Sequence, residues 1–209
     1  MDLLGFLFRW SHVLFGITWI GMLYYFNFVQ GGYFKQASPE GLADAKAKLA
    51  PSALWWFRWG AMGTFLTGLV LLGYLGASLN NYIVIGVVFG ILMFLNVWII
   101  IWPNQKIALG MVEGDAPAAG AKALLASRHN VLYSAPMTFC MLASGHPSGS
   151  MGYNPNFSMS TSIIVMLVII AALQANAMFG KQGPLASVKG VIHGSLGLTA
   201  VMVLVFNFL

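Results

Sequence analysis

The chain has 209 residues, of which 59% are hydrophobic and only 7% charged, and its mean hydropathy is +0.81. Soluble domains carry roughly 25% charged residues, so this composition excludes one and points to an integral membrane protein. The net charge of +5 is spread over connections rather than gathered in a stripe, which argues against a nucleic-acid partner.

Six apolar runs are long enough for a hydrocarbon core of about 30 Å: 3–29, 53–77, 81–103, 129–146, 159–180 and 187–208. They are continuous rather than alternating, which favours helices over a barrel, and each helix satisfies its own backbone in lipid. The expectation is one all-α domain over 1–209, a bundle of six transmembrane helices. Its fourth run is short and contains Pro136.

The first run carries Arg9 and His12 and is expected to be retained rather than cleaved, having no basic region before it. The connection after it, "SPEGLADAKAKLA", predicts a short surface helix capped by Ser38 with Pro39 at its first position. In the second run Gly60, Thr64 and Gly68 recur at helical spacing, as do Gly86 and Gly90 in the third, which predicts close helix packing. Trp55, Trp56, Trp59 and Trp102 read as an interfacial belt. The Ala-rich "APAAGAKALLASR" predicts a second surface helix before the fourth run, and "GHPSGSMGYNPN" an irregular loop after it.

Lys35, Lys46, Lys48 and Arg58 fall at the first connection, Lys106, Lys122 and Arg128 at the third, and Lys181 and Lys189 at the fifth. Six spans place these three connections on one side. The positive-inside rule then puts both termini outside the cytoplasm. A lone Cys140 excludes an internal disulfide and a covalent CxxCH haem site.

A histidine inside a span is costly and marks a functional site by default. His12 has Gly16 one turn along its face, and His193 has Gly197. A glycine one turn from an imidazole leaves the flat space a porphyrin needs. A rise of 1.5 Å per residue places His12 roughly 13 Å below the outer boundary and His193 roughly 10 Å above the inner one, compatible with one b haem between them. Arg9 is placed to pair with a propionate. The structural alternative is a hydrogen bond from either histidine to Ser11, Asn27 or Asn176. Two such histidines could also hold zinc or copper, but zinc wants further Cys or carboxylate ligands, and the spans have no Asp or Glu.

His129 and His146 would lie roughly 25 Å apart at the two ends of the fourth helix, so they cannot share an iron. Each reads as a hydrated boundary residue, a ligand of a second haem or a substrate contact. Asn104 and Gln105 in "WPNQK", with Arg128, His129 and Asn130 in "SRHN", form an expected polar cluster at the inner boundary. Arg, Gln and Asn supply the charge and in-plane donors and acceptors that a planar, amide-rich anion needs. Helix capping and headgroup contact are the alternative roles for these residues.

The segments "RWSHVLFGITWIGMLYYFNFVQ", "WWFRWGA", "NVWIIIWPNQK" and "SRHNVLYSAPMTFCMLASGHP" together resemble the membrane domain of the bacterial urate hydroxylase family, the urate oxidase N-terminal domain, over about residues 9–147. The last helix resembles it less distinctly. The pattern of His12 followed by "WIG" and aromatics is also similar to other small membrane haem proteins. The resemblance implies a haem-containing protein of the bacterial inner membrane that oxidises urate or a similar purine. In that family the domain is joined to a periplasmic cytochrome c domain. Ending at Leu209 without CxxCH, this chain is expected to pass electrons to a separate cytochrome c, or to serve as a non-catalytic subunit of a larger respiratory complex. A transporter would show inverted repeats and an intramembrane acid, and neither is evident.

Overall fold

The computed structural model describes residues 2–76, 78–146 and 148–209 and contains no strand among them. Helix α1, Leu3–Gln36, starts where the Asp2 carboxylate accepts the Gly5 N–H at 2.8 Å, and includes a π-helical stretch at Tyr25–Gln30. The short α2, Pro39–Asp44, is capped by Ser38 with a proline in its first turn, as expected. It continues through π-helical Ala45–Leu49 into α3, Ala50–Leu75. Helix α4, Asn81–Ala108, has a third π stretch at Asn96–Ile101. Helices α5, Ala116–Gly145, α6, Thr161–Phe179, and α7, Val188–Phe208, complete the chain.

Among the described residues all six predicted runs are helical, and four helices are long and apolar enough to cross a membrane: α1, α4, α6 and α7. Helices α3 and α5 cover the second and fourth runs without joining that set. Arg58 and several tryptophans and glycines dilute α3, and α5 carries Lys122, Arg128, His129 and Asn130. Residue 77, the end of the second run, lies outside the described residues. The predicted separate surface helix before the fourth run is instead the first part of α5, with Asp115 capping it by accepting the Ala118 N–H at 3.0 Å. The helix runs on from Ala116 into the fourth run because most residues of that opening stretch, Ala, Leu and Lys, favour it.

The described residues group into two compact units, 1–74 with 94–127 and 75–93 with 128–209. In the first unit, α1 and α3 run antiparallel, since Trp19 meets Gly60, Phe15 meets Gly63 and His12 meets Gly68. A Cβ at Gly60 would sit 3.0 Å from the Trp19 backbone N, and one at Gly63 2.5 Å from the Phe15 ring. The glycines are thus what lets the two backbones approach. The end of α4 packs on α3 through stacked Phe65 and Phe94, with centroids 4.1 Å apart, and through Trp59 and Trp98 at 6.0 Å. Trp19, Leu23, Phe57 and Ala61 are buried here.

In the second unit, a Cβ at Gly86 would lie 2.7 Å from the Cys140 Cβ, whereas Gly90 faces open space, so only the first of that pair is a packing glycine. Pro136 sits inside α5 and has no N–H for the Leu132 carbonyl one turn back. Ser195 of α7 makes good the loss. Its hydroxyl lies 2.9 Å from Leu132 O and 3.0 Å from Val131 O, and accepts the Ala135 N–H at 3.3 Å. The described residues of the loop after α5 are irregular apart from a 3₁₀ turn at Gly149–Met151. Asn81 holds it by donating to Gly152 O and accepting from Asn154 N, and the Tyr82 hydroxyl donates to Met151 O.

Candidate functional site

His12 is half-buried on α1, and its Nδ1 lies 3.1 Å from Thr67 Oγ1 on α3. The Thr67 hydroxyl is also 2.7 Å from Gly63 O and 3.1 Å from Thr64 O, which can only accept. Its single proton therefore goes to the backbone, and a lone pair faces the imidazole. Nδ1 carries the ring proton and Nε2 the lone pair. The expected structural alternative for His12 is met in kind, an interhelical hydrogen bond, but with Thr67 as partner. Asn27 instead donates to Leu23 O and Ser127 Oγ, each at 2.8 Å. A Cβ at Gly16 would touch nothing within 4 Å, and Arg9 is exposed.

His193 and Gly197 lie on the exposed side of α7, and a Cβ at Gly197 would also meet nothing within 4 Å. Asn176, the other expected partner, bonds to His129: its Nδ2 is 3.0 Å from His129 Nε2. The amide is oriented by Lys181, whose O accepts from Nδ2 and whose N–H donates to Oδ1. His129 is fully buried, which corrects the hydrated-boundary reading for that residue. His146 is exposed just beyond α5, as that reading expects, with Nδ1 3.2 Å from Leu142 O.

The expected polar cluster divides between the units. Asn104 and Gln105 are half-buried in the first, where Asn104 Nδ2 donates to Ile100 O at 2.7 Å. Arg128, His129 and Asn130 are buried in the second, where Asn130 Nδ2 donates to Met93 O at 3.0 Å. Arg128 is 8% exposed, and its Nε and Nη1 have no hydrogen-bond partner among the described residues. No group of three His, Cys, Asp or Glu gathers as a metal set among the described residues.

Arg58, read from sequence as a topological charge, has a more specific setting. Its guanidinium lies over the Trp102 ring, 3.4 Å from the centroid. Nothing in the spacing of Arg58 and Trp102 along the chain signals that pairing. It arises only when α3 lies against the end of α4.

A family model described as urate oxidase N-terminal matches residues 76–205, well over half of the chain. The matched stretch contains "NVWIIIWPNQK" and "SRHNVLYSAPMTFCMLASGHP" and extends through most of α7. The two earlier resembling segments, including His12, precede it. No curated protein and no solved structure matches the chain. With helices apolar enough to span a membrane and a family match over most of its length, the chain belongs to the urate oxidase N-terminal family.

Proposed function

We propose that this chain is a b-type haem protein of the bacterial cytoplasmic membrane that oxidises urate or a similar purine and passes the electrons to a separate cytochrome. In this reading six helices span the membrane, with both termini on the outer side. The observation that carries it is the His12 imidazole, whose Nδ1 proton is directed at Thr67 and whose Nε2 lone pair is left for a metal. Such an outer hydrogen bond is how ligating histidines are held in one tautomer.

The fit extends to the neighbours. Open space beside Gly16 and beside Gly197 leaves room for a flat ring at each place, and His12 and His193 are the imidazoles that would hold the haem iron. Exposed Arg9 is free to reach a propionate at the outer boundary. When bound, the haem supplies one-electron acceptance at a potential set by its ligands and burial. The chain's own residues fix the imidazole, exclude water with apolar side chains and hold the purine. Of the residues expected to hold the purine, Arg128 keeps unpaired N–H groups, whereas His129 and Asn130 are already bonded within their unit.

The test is a dithionite-reduced minus air-oxidised spectrum of the purified protein, with pyridine haemochrome quantification and urate as an alternative reductant. A b-type signal that urate also produces is the expected result. A folded preparation without haem would refute the haem reading, and haem that urate never reduces would refute the enzyme reading.

A further inference from the structure

Two cations of the first unit share one aromatic ring. The Arg58 guanidinium lies 3.4 Å from the Trp102 ring centroid, and the Lys106 ammonium lies 5.6 Å from the same centroid. Both are within the roughly 6 Å over which an indole face attracts a cation. The two charges are therefore no further apart than those distances laid end to end, which is inside a Debye length of about 10 Å at 0.1 M salt. They repel each other across a ring that carries no net charge.

No carboxylate offsets this repulsion, since the only ion pair found among the described residues is Lys48 with Asp44. Arg58 Nη1 is buried without a hydrogen-bond partner. The Trp102 ring, at van der Waals distance, covers one face of the planar guanidinium, so an acceptor approaches along its N–H edge. Two oxygens of one phosphate match such an edge.

Position selects where that phosphate comes from. Arg58 stands near the start of the second apolar run, 53–77, and Trp102 near the end of the third, 81–103. Their contact brings those two ends to one level, the edge of the hydrocarbon core. Trp55, one turn before Arg58, and Trp59 beside it are each about half exposed, as indoles are at headgroup depth. Ile99, three residues before Trp102 on the hydrocarbon side, is exposed and offers surface to an acyl chain. Basic groups at this level attract anionic headgroups. A zwitterionic lipid would bring its own cation to two charges that already repel, whereas an anionic lipid brings none.

We infer that Arg58, Lys106 and Trp102 form a binding site for the phosphodiester of an anionic glycerophospholipid, at the membrane edge where α3 meets the end of α4. The site lies within the first unit and does not depend on the urate reading.

The test is native mass spectrometry of the delipidated full chain in detergent, titrated with phosphatidylglycerol, with phosphatidylcholine of the same acyl chains, and with inorganic phosphate. Circular dichroism and size exclusion check that each variant folds. Wild type should retain one phosphatidylglycerol in preference to phosphatidylcholine. Arg58→Gln should weaken that binding by about 10- to 100-fold, the range for losing a charged hydrogen-bond partner, with partial recovery in Arg58→Lys. Lys106→Gln, which removes a charge near the surface, should cost about 5-fold and serves if Arg58→Gln fails to fold. Lys48→Gln should bind like wild type. Equal retention of the two lipids by wild type would overturn the inference, as would phosphatidylglycerol binding that Arg58→Gln and Lys106→Gln both keep. A loss in Lys48→Gln as large as in Lys106→Gln would reduce the effect to general basicity and overturn the site. Inorganic phosphate bound as tightly as phosphatidylglycerol would make this a soluble-anion site and overturn the lipid assignment.

Discussion

Replacing Ser195 by Ala tests how α5 tolerates a proline in its interior. Ser195 is 4% exposed, so water does not take over its bonds. The substitution leaves the Leu132 carbonyl, already without a helical partner because of Pro136, and weakens the support of the Ala135 N–H. An unmet buried backbone group costs about 1–3 kcal/mol, whereas side-chain hydrogen bonds between membrane helices average about 0.6 kcal/mol. An expected loss of about 1–2 kcal/mol lies between these limits. The decisive assay is a double-mutant cycle read by reversible detergent unfolding of wild type, Ser195→Ala, Pro136→Ala and the double variant. With alanine at 136 its N–H can bond to Leu132 O, so Ser195→Ala should then cost about 1 kcal/mol less. Equal costs in both backgrounds would refute the claim that Ser195 repairs the proline break.

His12→Ala or His193→Ala should abolish or reshape the haem spectrum while His146→Ala leaves it nearly intact, and full haem occupancy in both of the first two would sink the ligand assignment. Thr67→Val removes the acceptor at His12 Nδ1, so the position of the haem bands or the midpoint potential should shift without loss of haem; an unchanged spectrum and potential would speak against Thr67 as the orienting group. Gly86→Ala should destabilise the second unit by about 1–3 kcal/mol through overpacking against Cys140. Gly90→Ala, with open space before it, should change stability by less than about 0.5 kcal/mol, and comparable unfolding midpoints for the pair would contradict the packing described.

What could be read from the sequence was what local pattern determines. Ser38 and Pro39 announce a helix start through their own chemistry, and α6 and α7 are plain from apolar length. His146 at a helix end behaves as a boundary residue should. The partners of Asn27 and Asn176 were not legible, since Ser127 and His129 are brought to them only by packing within each unit. Ser195 looked like any small residue in an apolar helix, and its function appears only beside Pro136, about 60 residues earlier in the chain. Arg58 carried a clear signal of charge, but the aromatic face that receives it comes from another helix. The drop in hydropathy before the fourth run suggests a separate surface helix, but hydropathy does not determine where a helix ends, and α5 crosses that boundary unbroken.

The π-helical stretch in α1 has a consequence for how this helix can vary. A π turn holds one residue more than the α-helical turn it replaces, so it offsets the angular phase of everything after it by about 100°. His12 lies before the offset and Asn27 within it. Deleting Tyr25 or Phe26 would restore an ordinary helix and keep its apolar character, yet swing Asn27 away from Ser127. A single-residue deletion there should therefore be far more damaging than any apolar substitution at an exposed position such as Val29, although hydropathy alone would rate the two alike.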